Sequence, residues 1–332
     1  MTNIPLQMQV VNVLQPGKNS ALHIEKRPVP QPQQGQLLLK VKAAGVNRAD
    51  LMQRQGLYPP PPGESDILGL EVAGTVVKVA SKADEHWLGK DVFGIVAGGG
   101  YAEYALLQSG HAIAKPKRWS WLQAGAAAEA FLTAYQLLFV IGGLKSGQRL
   151  LLHAGASGIG TSALQLATLA GARVAVTVGR SDKAEACRKL SAELAVNYRN
   201  SLFADELTTH WPTGVDLILD PVAGEYLQHN VRVLAEDGLI IIYALMGGRI
   251  IEQLDLAPLF KKRGRIVCST LRNRTNSYKA QLTAGFVATF AEQMNNGIFA
   301  PILDQSVDWK NAQQAHNVLL SNNNVGKLVL EF

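Results

Sequence analysis

From about residue 124 the chain settles into a regular alternation of two patterns. Short runs that are apolar on both faces recur at 149–154, 173–179, 194–198, 215–220, 239–245 and 265–270, as in Val174-Ala-Val-Thr-Val178 and Leu239-Ile-Ile-Ile-Tyr243. Amphipathic stretches of helical period lie between them. A strand that is apolar on both faces must be covered on both faces, so the pattern predicts a parallel sheet with helices on either side. Six strand–helix steps fit a doubly wound sheet. Residues 122–144 are apolar but carry Glu129 and Gln136, so they read as a buried helix rather than a membrane span.

The first 120 residues have another rhythm. Runs at 36–44, 71–79, 91–96 and 101–107 are short, strand-like and separated by Gly and Pro, which predicts a small, partly open barrel. Residues 47–69 read as an irregular surface loop, because Pro59 to Pro62 cannot sit inside a helix or a central strand. After the sheet region come a long helix at 276–297, a strand at 302–307, a helix at 309–322 and a strand at 327–332, which read as returning to the first unit. The expected division is therefore 1–123 with 276–332 as one domain and 124–275 as the other.

The first parallel strand runs into a glycine turn, His153-Ala-Gly-Ala-Ser-Gly-Ile-Gly160, and then a helix. In that context glycines let backbone N–H groups approach a pyrophosphate, and the helix N-terminus adds partial positive charge. Asp or Glu at the end of the second strand would select NAD by bonding the ribose 2′-hydroxyl. Here that strand ends Val178-Gly-Arg180, followed by Ser181 and Lys183. Arg180 and Lys183 suit a 2′-phosphate, which points to NADPH. Asp182, the nearby acid, reads as a cap of the following helix.

The chain has 332 residues, 47% hydrophobic and 17% charged, and a net charge of +6, which fits a globular protein with anionic ligands. Met1 to Asn19 lacks the basic start and apolar centre of a signal peptide. Two cysteines, Cys187 and Cys268, both in apolar sequence, make no disulfide framework, so a cytoplasmic location is expected. Seven histidines with no C-x-x-C and no H-E-x-x-H give no ready zinc site, and no metal is expected. Six basic residues between Lys261 and Arg274 read as a solvated frame around the last strand, and nucleic acid is not expected as a partner. That strand, with Ile266, Val267 and Cys268, would be an exposed edge in a monomer, and pairing across it predicts a homodimer.

Several segments together resemble one family. They are Gly45-Val-Asn-Arg-Ala-Asp-Leu-Met-Gln-Arg-Gln-Gly-Leu-Tyr58, Ile67-Leu-Gly-Leu-Glu-Val-Ala-Gly74, Ala128-Glu-Ala-Phe-Leu-Thr-Ala-Tyr135, the glycine turn, Asn197-Tyr198, Gly247-Gly248 and Asn324-Val-Gly-Lys327. The chain resembles the zinc-free, ζ-crystallin-like quinone oxidoreductases of the medium-chain dehydrogenase/reductases, and most of all their tumour-suppressor-inducible branch. The resemblance implies an α/β protein, a GroES-like β-barrel catalytic domain plus a Rossmann domain with a six-stranded parallel sheet. It implies reduction of a small quinone by NADPH. In zinc-dependent relatives a ligand cysteine stands at the position of Asn47 and a ligand histidine at that of Leu70. By the same resemblance Gly155, Ser157, Gly158, Ile159 and Gly160 meet the pyrophosphate. Gly179, Lys183 and Tyr198, with Arg180 added, surround the 2′-phosphate. Asn47, Thr133, Leu245, Met246 and Asn324 line the nicotinamide and its ribose. Tyr58 faces the substrate as a hydrogen-bond donor, helped by Asn47 and Asp50 in ordering the loop, and Met52 stands where some members carry a tyrosine. Two alternatives remain open: an enoyl-thioester reductase with Tyr58 as proton donor, and a non-enzymatic NADPH-holding protein that binds RNA or acts as a sensor.

Overall fold

The computed structural model describes residues 4–18 and 20–332; the start of the first expected domain, Met1 to Asn3, lies outside them. The chain forms two compact units, Met1–Leu132 with Arg272–Phe332, and Thr133–Leu271.

The first unit opens with an antiparallel hairpin, β1 (Gln7–Leu14) and β2 (Ala21–Pro28). Sequence patterning missed it. Then come β3 (Gln36–Val46), helix α1 (Arg48–Arg54), β4 (Glu71–Val79), β5 (Asp91–Ile95), β6 (Tyr104–Gln108) and β7 (Ile113–Ala114). Segment 47–69 is thus not irregular throughout. Asp50 explains why: its Oδ2 accepts the N–H of Asn47 at 2.7 Å, closing the first turn of α1 from within. Residues 55–70, with the four prolines among them, stay outside helix and strand.

The apolar run at 122–144 is three pieces rather than one helix: α2 (Trp121–Gly125), α3 (Ala128–Tyr135) and a π-helical turn over Gln136–Ile141. The division between the units falls inside α3, after Leu132 rather than after residue 123. The early part of α3 is tied to the first unit. The Glu129 N–H donates to Glu71 at 3.0 Å, and Phe131 packs against Trp119, Phe286 and Phe299.

The second unit alternates β8 (Arg149–Leu152), α4 (Gly158–Leu169), β9 (Arg173–Val178), α5 (Ser181–Lys189), β10 (Leu194–Asn197), α6 (Phe203–His210), β11 (Val215–Asp220), α7 (Tyr226–Val233), β12 (Leu234–Ile242), α8 (Ala257–Lys261) and β13 (Arg265–Cys268). The strands are all parallel, in the order β10-β9-β8-β11-β12-β13. The order reverses between β8 and β11, the point at which doubly wound sheets bind ligands.

The chain then returns to the first unit as α9 (Asn276–Asn295), β14 (Leu303–Asp308), α10 (Ala312–Ser321) and β15 (Lys327–Glu331). β14 and β15 extend that unit's sheet to β14-β15-β3-β4-β5-β7, with β6 also paired to β3. Among the described residues no helix is long and apolar enough to cross a membrane. Cys187 is buried and its thiol is pushed up to about 12 by burial, whereas Cys268 is exposed on β13, against the apolar surroundings expected for it.

Candidate functional site

In the first unit the register of three strands assembles a charged cluster. β15 pairs with β3 so that Leu328 faces Val46, and β3 pairs with β4 so that Ala44 faces Val72. Lys327, Asn47 and Glu71 are therefore neighbours. The Lys327 ammonium donates to Glu71 Oε1 at 2.7 Å, to Asn47 Oδ1 at 2.6 Å and to the Val46 carbonyl at 3.1 Å. Asn47 Nδ2 donates to the same Glu71 oxygen at 3.0 Å. Both faces of the Asn47 amide are thus fixed. Glu71 is fully buried and Lys327 is 5% exposed, so the pair stabilises only as a pair. Gly45 is required here, because a Cβ on it would collide with the Glu71 side chain and lie 2.7 Å from the Gly125 carbonyl.

Asp50 hangs from a second buried network. It accepts from the N–H of Asn47, from the N–H of Gly69 at 3.1 Å and from the Tyr101 hydroxyl at 3.1 Å. Burial lifts its carboxyl to about 6 against these donors. Tyr101 also touches His316 Nε2 at 3.1 Å, and burial, then Arg54, depresses His316 to about 3, so its imidazole stays neutral. Asp50 is therefore a brace for the Asn47 turn and is sealed from solvent.

Tyr58 is held by Arg272. The guanidinium lies 5.2 Å from the phenol ring centre, donates to the Tyr58 carbonyl at 3.1 Å, and also bonds Gln53 Oε1 and the Ala97 carbonyl. Burial, with Glu129 next in effect, raises the phenol, so Tyr58 stays protonated and can donate. Arg272 is 5% exposed and internal, and it drops out of the basic surface stretch. Lys262 caps the Val231 and Arg232 carbonyls, and Arg263 pairs with Glu236 and Asp237. Asn324 donates to the Gly326 carbonyl at 2.9 Å in the turn that leads into Lys327. Met52 is 44% exposed.

The sequence gives no site role to Glu71, Lys327 or Glu129, and it places Arg272 in a solvated basic stretch. The signal available was charge inside otherwise apolar strands and helices. Glu129 is pushed up to about 7 by burial, then by the Glu71 carboxylate. A carboxyl whose folded pKa is raised stabilises the fold below its unfolded pKa, near 4.5, and that contribution fades as pH climbs to about 7. Glu129→Gln should therefore gain stability relative to the parent chain as pH rises from about 4.5 to about 7. Denaturant titrations across that range check the sign; a difference that shrinks with pH would contradict it.

In the second unit Ser157 caps α4, its Oγ accepting the Gly160 N–H at 3.0 Å. The Gly158 and Ile159 N–H groups begin the helix, where no earlier helical carbonyl is available to them. A Cβ on Gly155 would come within 2.5 Å of Val176, and one on Gly160 would meet the Ala154 carbonyl and lie 2.6 Å from the Gly155 carbonyl. The turn is therefore a bare-backbone cradle of the kind a pyrophosphate needs, and the residues fit a dinucleotide.

Beneath it, fully buried His153 contacts Thr177 Oγ1 at 2.9 Å and Asn230 Oδ1 at 2.7 Å. Asn230 Nδ2 donates to Asp220 Oδ2 at 2.9 Å, which leaves its oxygen to accept from the His153 ring. Asp220 Oδ1 takes the N–H groups of Val222 and Ala223. That turn receives the N–H groups of Met246 and Gly247, and it thereby places half-exposed Leu245 and Met246. Thr133 is buried at this unit's start on α3. At the end of β9, a Cβ on Gly179 would lie 2.5 Å from the Tyr198 hydroxyl, so the bare glycine lets that ring lie against the strand. Asp182 is not the cap of α5. Arg180 occupies the N-cap position, and Asp182, in the first turn, forms an ion pair with it.

Residues 33–117 match the alcohol dehydrogenase GroES-like domain family, and residues 158–286 match the zinc-binding dehydrogenase family; the two matches together take in well over half of the chain. The chain belongs to the medium-chain dehydrogenase/reductases. The human synaptic vesicle membrane protein VAT-1 homolog is 26% identical over 95% of this chain and 84% of its own. Human quinone oxidoreductase is 27% identical over 97% of each. Among solved structures, a mycobacterial protein complexed with NADPH superposes with a TM-score of 0.86 at 26% identity, over 98% of this chain and all of the other. An NAD-dependent alcohol dehydrogenase gives 0.85 at 26% identity, over 98% of this chain and 99% of that one. An oxidoreductase of this superfamily, using a nicotinamide cofactor, follows from these matches. The donor chemistry here does not fit zinc. Asn47 and Leu70 offer no thiolate or imidazole, and an ammonium already bridges Asn47 to Glu71. Among the described residues no cluster of His, Cys, Asp and Glu is placed to hold a metal.

Proposed function

We propose that the chain is an NADPH-dependent reductase of small quinones that works without a metal. The observation that carries this reading is the Lys327 ammonium shared between Asn47 and Glu71, which ties up their oxygens with a side-chain cation and leaves no ligand set for a metal there. The nicotinamide, when bound, supplies hydride. A quinone then needs no Lewis acid, only a donor near the oxygen on which charge develops. Tyr58, held protonated, suits that role, and Asn47 and Asp50 keep the neighbouring turn in place. The basic end of β9, Arg180 with Lys183 in place of a strand-end acid, supports NADPH. A human relative named quinone oxidoreductase supports the acceptor class.

Saturating an enoyl thioester demands a proton at carbon, and Tyr58 would then be the proton donor. Initial rates of NADPH oxidation with 1,2-naphthoquinone and with crotonyl-CoA separate the two readings. We expect turnover with the quinone, and Tyr58→Phe to lower it only severalfold. Turnover with crotonyl-CoA alone, abolished by Tyr58→Phe, would establish the enoyl reading instead.

We also propose a cytoplasmic homodimer. β13 ends the sheet, Val267 on it is 37% exposed and nearby Phe260 is 87% exposed, so the edge is both unpaired and apolar. Light scattering at micromolar concentration should give twice the chain mass, and Val267→Lys should give the chain mass. A parent chain that is already monomeric would remove this reading.

A further inference from the structure

The end of β9 carries a closed ion pair. Arg180 Nε and Nη2 donate to the two oxygens of Asp182 at 2.9 and 2.6 Å, a two-pronged fork. The arginine side chain is 36% exposed and the aspartate 58%. Hydrogen bonding to Arg180 holds Asp182 down at about 2, so it is charged at any working pH. An arginine fork takes a phosphate in the same two-pronged geometry in which it takes a carboxylate. Tyr198, lying against Gly179, puts a hydroxyl at the same strand end.

We infer that Asp182 is a built-in competitor for the cofactor's 2′-phosphate: it fills the Arg180 fork when no phosphate is there, and so sets the preference between NADPH and NADH. The inference rests on the proposal that the second unit holds a nicotinamide dinucleotide. A phosphate with nearly two negative charges outbids one carboxylate for the fork. It must still displace that carboxylate and then lie beside it. NADH makes no such demand and leaves the pair intact. The brake is modest, because an exposed ion pair is weak in water. Removing it should matter only for ligands that carry the 2′-phosphate.

The test is calorimetric titration of the full chain with NADPH, NADH, 2′,5′-ADP and 5′-AMP. Asp182→Asn should bind NADPH and 2′,5′-ADP roughly tenfold tighter, from the lost competition and the lost repulsion together, with NADH and 5′-AMP unchanged within about twofold. The gain should disappear when Arg180→Gln is added. Unchanged or weaker 2′,5′-ADP binding in Asp182→Asn would overturn the inference. So would a selective loss of NADH affinity, which would make Asp182 the acceptor for the ribose hydroxyl. A parent chain that binds none of the four ligands would overturn the dinucleotide reading as well, an outcome distinct from the other two.

Discussion

Lys327→Met should lower the apparent melting temperature by roughly 10 °C, since stripping one partner from a buried ion pair costs about 3–5 kcal/mol. Glu71 has no exposed surface to fall back on, and without the ammonium only the Asn47 amide and the Glu129 N–H remain to its carboxylate among the described residues. Activity should fall further than stability, because Asn47 loses the donor that fixes its carbonyl oxygen. Adding Glu71→Gln removes the stranded charge. The double variant should recover most of the melting temperature while staying poorly active, and that split separates holding the fold from orienting Asn47. Thermal unfolding with parallel rates checks both. A Lys327→Met chain that melts within about 2 °C of the parent would mean that the pair is far better solvated than its burial implies.

The second unit was legible because its sheet repeats one instruction. Six strands apolar on both faces, each followed by an amphipathic segment, leave few arrangements other than the one found. The hairpin of β1 and β2 escaped although Pro16-Gly17 follows Gln7-Met-Gln-Val-Val-Asn-Val-Leu14 as a turn signal, because only part of that strand's surface is buried and its apolar positions do not alternate cleanly. Helix α1 escaped because it is short and the four prolines downstream dominated the reading, while the side chain that starts it, Asp50, acts through a backbone N–H. Most of the charged cluster was illegible for a different reason. Glu71 and Lys327 are 256 positions apart, and nothing in one sequence gives the strand register that brings them within 2.7 Å. The Arg180–Asp182 pair lay in plain view, two residues apart. Local propensity ranks Asp as a capping residue and is blind to a guanidinium folding back on it, so the sequence alone presents Asp182 as a helix cap.

The glycine turn yields the other large effect. Gly160→Ala should weaken NADPH binding about a hundredfold, the loss expected when two charge-assisted N–H contacts at a helix start are misplaced. The added Cβ collides with the Ala154 carbonyl and stands 2.6 Å from that of Gly155, and neither is a flexible side chain that can swing aside. The turn itself must open, carrying Gly158 and Ile159 away from the phosphates. Ser157→Ala provides the contrast. It removes the hydroxyl that accepts the Gly160 N–H but leaves the path of the chain alone, so it should cost only severalfold. Fluorescence titration of NADPH measures both variants, and thermal unfolding shows whether each unit stays folded. Equal, small losses would place the phosphates away from this turn, because a site that tolerates a displaced backbone is not one built on backbone N–H groups.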